Sequence, residues 1–138
     1  MLQIVRRIQA MTSATLGIYV IDDDESARIG LGRLLRSAGF QVKIFGSAQE
    51  FLDHGPDESG GLIILDVRMP GVNGLELQKR LATAGSKLPI IFITGFEDPL
   101  ARSKALKSGA IAFLQKPVDE QTLLGAIETA SQRQANRT

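Results

Sequence analysis

Two apolar runs in this 138-residue chain end in acidic residues. The apolar run Leu16–Ile21 ends in Asp22, Asp23 and Asp24, and the run Leu62–Leu65 ends in Asp66. Neighbouring carboxylates disfavour one another's ionisation, so such a cluster calls for a cation. Two other polar residues follow apolar runs: Thr94 after Pro89–Ile93, and Lys116 shortly after Ile111–Leu114. The chain has no Cys and one His, His54. Oxygen-only ligands favour Mg²⁺ over zinc or copper, and Mg²⁺ is often completed by a phosphate. Thr94 and Lys116 then supply donors for phosphoryl oxygens, and an aspartate is a competent covalent acceptor. The chemistry pointed to is phosphoryl transfer beside Mg²⁺, with Asp22, Asp23 and Asp66 as its carboxylates.

Each residue also has a plain structural explanation. An Asp after a strand is commonly a turn or a helix cap, and a Lys before Pro is commonly a solvated loop residue. What singles these residues out is that all of them follow the carboxyl ends of apolar runs. In open α/β sheets that edge is where ligands bind.

The elements that must hold them are readable from periodicity. Leu16–Ile21 reads as a strand. Leu31, Leu34, Leu35 and Ala38 form a helical stripe within Ser26–Ala38, stopped by Gly39. Gln41–Phe45 alternates polar and apolar, as a half-buried edge strand does. Ser47 can cap a short helix to about Asp53, and "HGPDESGG" is a loop by composition. Leu62–Leu65 is a strand, "RMPGVNG" a turn, and Asn73 a cap for a helix to about Thr83. Pro89–Ile93 is the fourth strand, Glu97–Ser108 a weaker helix closed by Gly109, and Ile111–Leu114 the fifth strand. Asp119 can cap the last helix, striped by Leu123, Ala126, Ile127 and Ala130. Strands alternating with helices predict an α/β fold on a parallel sheet, its central strands apolar throughout because both faces are covered.

Composition narrows the function. Apolar residues make up 43% of the chain, and 16 basic against 15 acidic residues leave a net charge of +1. That balance gives no electrostatic footprint for nucleic acid, so no direct nucleic-acid binding by this domain is expected. No apolar run approaches the roughly 20 residues that span a bilayer. The N-terminus, interrupted by Arg6, Arg7 and Gln9, is not a good secretory signal. The expected location is cytoplasmic, away from membranes. The domain reading is an N-terminal extension over 1–15, one domain over 16–131, and a tail over 132–138 that could link to an output domain outside this chain. Ile4, Ile8 and Met11 could line one face of a short N-terminal helix; a frayed extension is the simpler reading.

The segments "IDDDES", "LIILDVRMPGVNG", "IIFITG" and "AFLQKP", in this order and at these spacings, resemble the signature segments of a response-regulator (CheY-like) receiver domain. "DVRMPGVNGLEL" and "ITG" are similar to its FixJ-type subfamily. The resemblance implies a (βα)₅ doubly wound sheet of five parallel strands, order 2-1-3-4-5. It implies a switch of a two-component system in which Asp66 accepts a phosphoryl group from a sensor histidine kinase. Asp22, Asp23, Asp66 and the backbone carbonyl of Arg68 match the Mg²⁺ ligands. Lys116 and Thr94 match the phosphoryl-stabilising pair, Thr94 and Phe113 the switch pair, and Pro117 the proline of a cis bond. The implied readout is the surface of the fourth helix, fifth strand and fifth helix, controlling an output such as transcription. A phosphorylation-dependent homodimer follows from the same resemblance. On the fourth helix, Leu100, Ala101, Ala105 and Leu106 either dock a partner or pack on the sheet. The domain is then a phosphoacceptor rather than an enzyme.

Two alternatives stay open in the sequence. "IDDDES" also resembles the nucleophile motif of haloacid-dehalogenase-type phosphatases, with Asp22 phosphorylated and Asp24 as acid/base; that leaves Asp66 without a role. A nucleotide- or flavin-binding module fits "LIILD" but lacks a P-loop, and its phosphate would meet an acidic first loop. His54, in a Gly/Pro loop, reads as a surface residue. Arg68 and Phe96, each two positions beyond Asp66 and Thr94, are expected to tune water access to the phosphoryl group.

Overall fold

A computed structural model describes residues 17–57 and 61–135. The expectations for residues 1–15, and for Leu16 as the first strand residue, lie outside the described residues, as do the last three positions of the tail. Ten elements alternate: β1 (Gly17–Ile21), α1 (Glu25–Ser37), β2 (Gln41–Phe45), α2 (Ala48–His54), β3 (Gly61–Asp66), α3 (Gly74–Thr83), β4 (Ile90–Thr94), α4 (Pro99–Lys107), β5 (Ala112–Gln115) and α5 (Glu120–Ala135). All strand pairs are parallel, in the order β2-β1-β3-β4-β5. This is the fold expected from the sequence.

Alternation along each strand divides the core between the two faces of the sheet. Tyr19, Ile21, Ile63, Leu65, Ile90 and Phe92 pack with Ala48 and Phe51 of α2, Leu77 and Leu81 of α3, and Ala101 and Ala105 of α4. Ile18, Val20, Leu62, Ile64, Ile91 and Ile93 pack with Leu35 of α1 and with Leu123, Leu124, Ile127 and Ala130 of α5. Burying each of the Val, Leu, Ile and Phe side chains among these stabilises the fold by roughly 1.5–3 kcal/mol, and the smaller alanines contribute less. The three central strands are therefore clamped from both sides, and their ends are fixed. The β2 edge is half-covered, as its alternation predicts.

Helix starts follow their caps. Ser47 accepts from the backbone N–H of Glu50 at 3.1 Å and Asn73 from that of Glu76 at 2.9 Å. Asp119 accepts from the backbone N–H of Thr122 at 2.9 Å. Two starts differ from the sequence reading. Asp24 caps α1 by accepting from the Ser26 N–H, so the helix begins at Glu25. Asp98 caps α4, placing Pro99 at the first turn, where its missing N–H costs nothing. The last helix continues to Ala135. The helix-four alternative divides: Ala101 and Ala105 pack on the sheet, while Leu100 and Leu106 are exposed.

The chain winds outward from β1 to β2, then returns to place β3 on the other side of β1. The first and third loops therefore leave the sheet in opposite directions. The crevice between them lies at the carboxyl ends of β1 and β3, where Asp22 and Asp66 stand.

Candidate functional site

Each candidate residue is positioned by a strand end. Asp22 directly follows β1, and its N–H donates to the carbonyl of Phe45 at 3.1 Å. Asp66 is the last residue of β3 and Thr94 the last of β4. Lys116 follows β5 and its N–H donates to the Thr94 carbonyl at 2.7 Å. Asp22, Asp66 and Thr94 are buried, whereas Asp23 is exposed. The Lys116–Pro117 bond is cis. Gly74, which opens α3, packs directly against the backbone of Asp66 and Val67. A Cβ there would collide with the Asp66 carbonyl, so glycine lets the helix seat behind the β3 end. Gly71, at φ +75°, gives the preceding turn a conformation that L side chains rarely adopt.

The carboxylates converge. One oxygen from each of Asp22, Asp23 and Asp66 lies within 4.8 Å of the others, the one such acidic group among the described residues. The Lys116 ammonium donates to Asp22 Oδ2 at 2.7 Å and stands 3.9 Å from Asp66 Oδ1. Asp22 Oδ1 accepts from the Asp24 N–H at 3.0 Å. Asp22 is thus satisfied on both oxygens, while Asp66 shares a more distant cation.

The electrostatics follow from this asymmetry. Burial, and then the Asp22 charge, push the Asp66 carboxyl up from 3.8 to about 7, against the lowering effect of Lys116; a hydrogen bond with Asp22 and the charge of Asp23 add to the rise. Burial works to lower Lys116, but its hydrogen bond to Asp22 and the charges of Asp22, Asp66 and Asp24 outweigh that and hold the ammonium above its ordinary value. A buried carboxyl disfavoured as an anion, beside two more carboxylates and one lysine, is a donor set suited to a divalent cation. Oxygen-only donors fit Mg²⁺. A carboxylate at a crevice with a cation and a lysine beside it can be phosphorylated.

The remaining sequence candidates fall nearby. Thr94 Oγ1 accepts from the Phe96 N–H and donates to the Phe96 carbonyl, both at 3.2 Å. Phe113 is 8% exposed and packs on Phe92 with ring centroids 6.0 Å apart. Its ring lies inward, against Phe92. Arg68 is exposed in the loop after β3, its guanidinium 5.0 Å from the Phe96 ring centroid. Asp24 caps α1, which occupies the carboxylate that the phosphatase alternative needs as acid/base. His54 is exposed, with its Nε2 3.3 Å from Lys43 Nζ.

Sequence reasoning missed two residues. Arg28 donates from Nη1 to the carbonyls of Asp22 and Asp23, each at 3.4 Å, bracing the acidic loop from α1. Its helical position, five and six residues on, was the available signal. Asp98 pairs with Arg68 at 3.2 Å; nothing local in the sequence signals that contact.

Comparison with known proteins agrees with this geometry. Residues 18–128 match the family described as response regulator receiver domain. The chain is 47% identical over 122 residues to response regulator protein TmoT of Ectopseudomonas mendocina, covering 88% of this chain and 56% of that one. It is 48% identical over 113 residues to transcriptional regulatory protein FixJ of Bradyrhizobium diazoefficiens, covering 82% and 55% respectively. The chain thus spans about half the length of these curated relatives. Among solved structures, response regulator StyR superposes with a TM-score of 0.83 at 48% identity, covering 90% of this chain and 63% of that one. FixJ-N superposes at 0.80 with 36% identity, covering 86% and 95%. The fold, the acidic crevice and these relatives agree: the chain belongs to the response regulator receiver domain family, with FixJ-type regulators among its close relatives.

Proposed function

We propose that this domain is a phosphorylation switch whose acceptor is Asp66 and whose donor is a phosphohistidine on a sensor histidine kinase. The observation that carries this reading is the convergence of Asp22, Asp23, Asp66 and Lys116 in the crevice between β1 and β3. In the transfer, an Asp66 carboxylate oxygen bonds to phosphorus as the phosphorus–nitrogen bond breaks. The histidine nitrogen keeps the electron pair and takes a proton from solvent. Mg²⁺, held by Asp22, Asp23, Asp66 and the Arg68 carbonyl, would neutralise charge on the phosphoryl oxygens. Lys116 faces both Asp22 and Asp66 and is placed to move toward a phosphoryl group, which brings charge and three acceptor oxygens.

Thr94 and Phe113 are the proposed switch residues. Thr94 would exchange its Phe96 partner for a phosphoryl oxygen, shifting the β4–α4 loop and the α4–β5–α5 surface. Exposed Leu100 and Leu106 support a readout there, with phosphorylation-dependent homodimerisation as the proposed form. The relatives' names support transcription as the output, through sequence beyond this domain. No described helix is long and apolar enough to cross a membrane, which is compatible with the proposed cytoplasmic location.

The test is intact mass after incubation with acetyl phosphate and Mg²⁺. Wild type should gain one base-labile phosphoryl group, and Asp66→Asn should gain none. An adduct that survives Asp66→Asn and maps to Asp22 would replace this reading with the phosphatase one.

A further inference from the structure

Two loops that leave neighbouring strands are fastened together outside the acidic crevice. The guanidinium of Arg68, in the β3–α3 loop, pairs with Asp98 Oδ2 at 3.2 Å and lies 5.0 Å from the Phe96 ring centroid. Phe96 and Asp98 both belong to the β4–α4 loop. Phe96 is 60% exposed, so the core holds little of its ring, and the guanidinium lies against it. The Phe96 peptide engages the Thr94 hydroxyl in both directions, donating from N and accepting at O, each at 3.2 Å. A hydroxyl has one proton to donate, and here it is spent on Phe96. Asp98 Oδ1 meanwhile accepts from the Ala101 N–H at 3.0 Å and caps α4.

We propose that Arg68 and Asp98 form a latch that holds the Thr94 hydroxyl on its own loop, making them positioning residues that restrain the switch. The inference rests on the proposed role of Thr94 toward the phosphoryl group. To reach a phosphoryl oxygen, Thr94 must release the Phe96 carbonyl, and residues 95–98 must shift. The stack and the ion pair tie that segment to the loop after Asp66 and oppose the shift. Exposed ion pairs and cation–π contacts are individually weak. The latch therefore sets a threshold rather than a block, biasing the equilibrium about two- to tenfold toward the resting arrangement.

Three variants separate its parts. Asp98→Asn keeps a good N-cap and loses the charge pair. Arg68→Ala loses both the pair and the stack. Arg68→Lys keeps the charge and loses the planar stacking group. Two quantities are read on the full chain: amide hydrogen exchange of residues 95–98 without Mg²⁺, and the dissociation constant of beryllium fluoride in saturating Mg²⁺. Asp98→Asn and Arg68→Ala should each speed exchange and tighten beryllium fluoride about two- to tenfold, with Arg68→Lys between them and wild type. A purely structural role would speed exchange without tightening binding, and that result overturns the latch. So does unchanged exchange, or weaker binding by Arg68→Ala, which would make the guanidinium a phosphoryl partner instead. If wild type neither binds beryllium fluoride nor forms the acetyl phosphate adduct, the proposed function itself has failed; binding without the predicted tightening fails the latch alone.

Discussion

The raised Asp66 carboxyl makes a sharp prediction about stability. Replacing Asp66 with Asn should stabilise the metal-free protein, and the gain should grow with pH. In the folded chain Asp66 titrates near 7, against 3.8 for an ordinary aspartate, because burial and then Asp22 disfavour its anion. Below about pH 4 both states hold the proton and Asp66 has no effect on the balance. Between about pH 4 and 7 the unfolded chain releases the proton and the folded chain keeps it, so stability falls as pH rises. Above 7 both states are ionised and the loss is complete. The gap from 3.8 to about 7, at about 1.4 kcal/mol per pH unit, limits the loss to about 4 kcal/mol. Asparagine keeps the size and polarity but not the charge, so the variant lacks this loss. The assay is urea unfolding of both proteins with a chelator present, at several values between pH 4 and 8. The variant's advantage should widen by several kcal/mol, most of it gained before pH 7. An advantage that stays flat across this range would show that the crevice does not penalise the Asp66 anion. The crevice would then have no electrostatic need for a cation at Asp66.

Two further predictions concern the framework behind the site. Gly74→Ala places a methyl group against the Asp66 carbonyl, Val67 Cα and the Phe92 ring; it should destabilise by about 1–3 kcal/mol in urea unfolding. A neutral result would mean that α3 can slide without cost. Gln78 is buried and donates from Nε2 to the Ala105 carbonyl at 3.1 Å, joining α3 to α4. Gln78→Leu should lower stability by about 1 kcal/mol; a more stable variant would show that the hydrogen bond does not offset the cost of burying the amide.

Much of this was legible in the chain because the informative signals were local. Continuous apolar runs mark central strands, and Gln41–Phe45 marks an edge because only its inner side alternates into the core. Ser47, Asn73 and Asp119 announce helix starts because a side-chain oxygen there meets a nearby N–H. The α4 helix starts at Pro99 rather than Glu97, because Asp98 followed by Pro99 is the stronger start signal. Asp24 belongs by composition to the acidic cluster, yet its position just before α1 makes it a cap. Composition could not divide three adjacent aspartates into a buried one, an exposed one and a cap. That division comes from the first turn of α1.

Contacts between loops are of another kind. Arg68 and Asp98 are thirty residues apart, and no periodicity links them. They meet because β3 and β4 are neighbours in the sheet, so the loops leaving their carboxyl ends lie side by side. Lys116 and Asp22, 94 residues apart, are not on neighbouring strands, since β3 and β4 lie between β1 and β5. They meet because both follow the carboxyl ends of their strands and the long lysine side chain reaches back over that edge. Strand order therefore converts a list of strand-end residues into a set of permitted pairs. The acidic crevice could be anticipated because every member ends a strand or closely follows one at the same edge. The latch could not, since its members lie within loops and acquire meaning only when the order of those loops is known. Chemistry at strand ends and restraint in the loops are thus separable, and the proposed latch predicts that substitutions at Arg68 and Asp98 change the threshold of the proposed switch while leaving the carboxylates and lysine of the crevice in place.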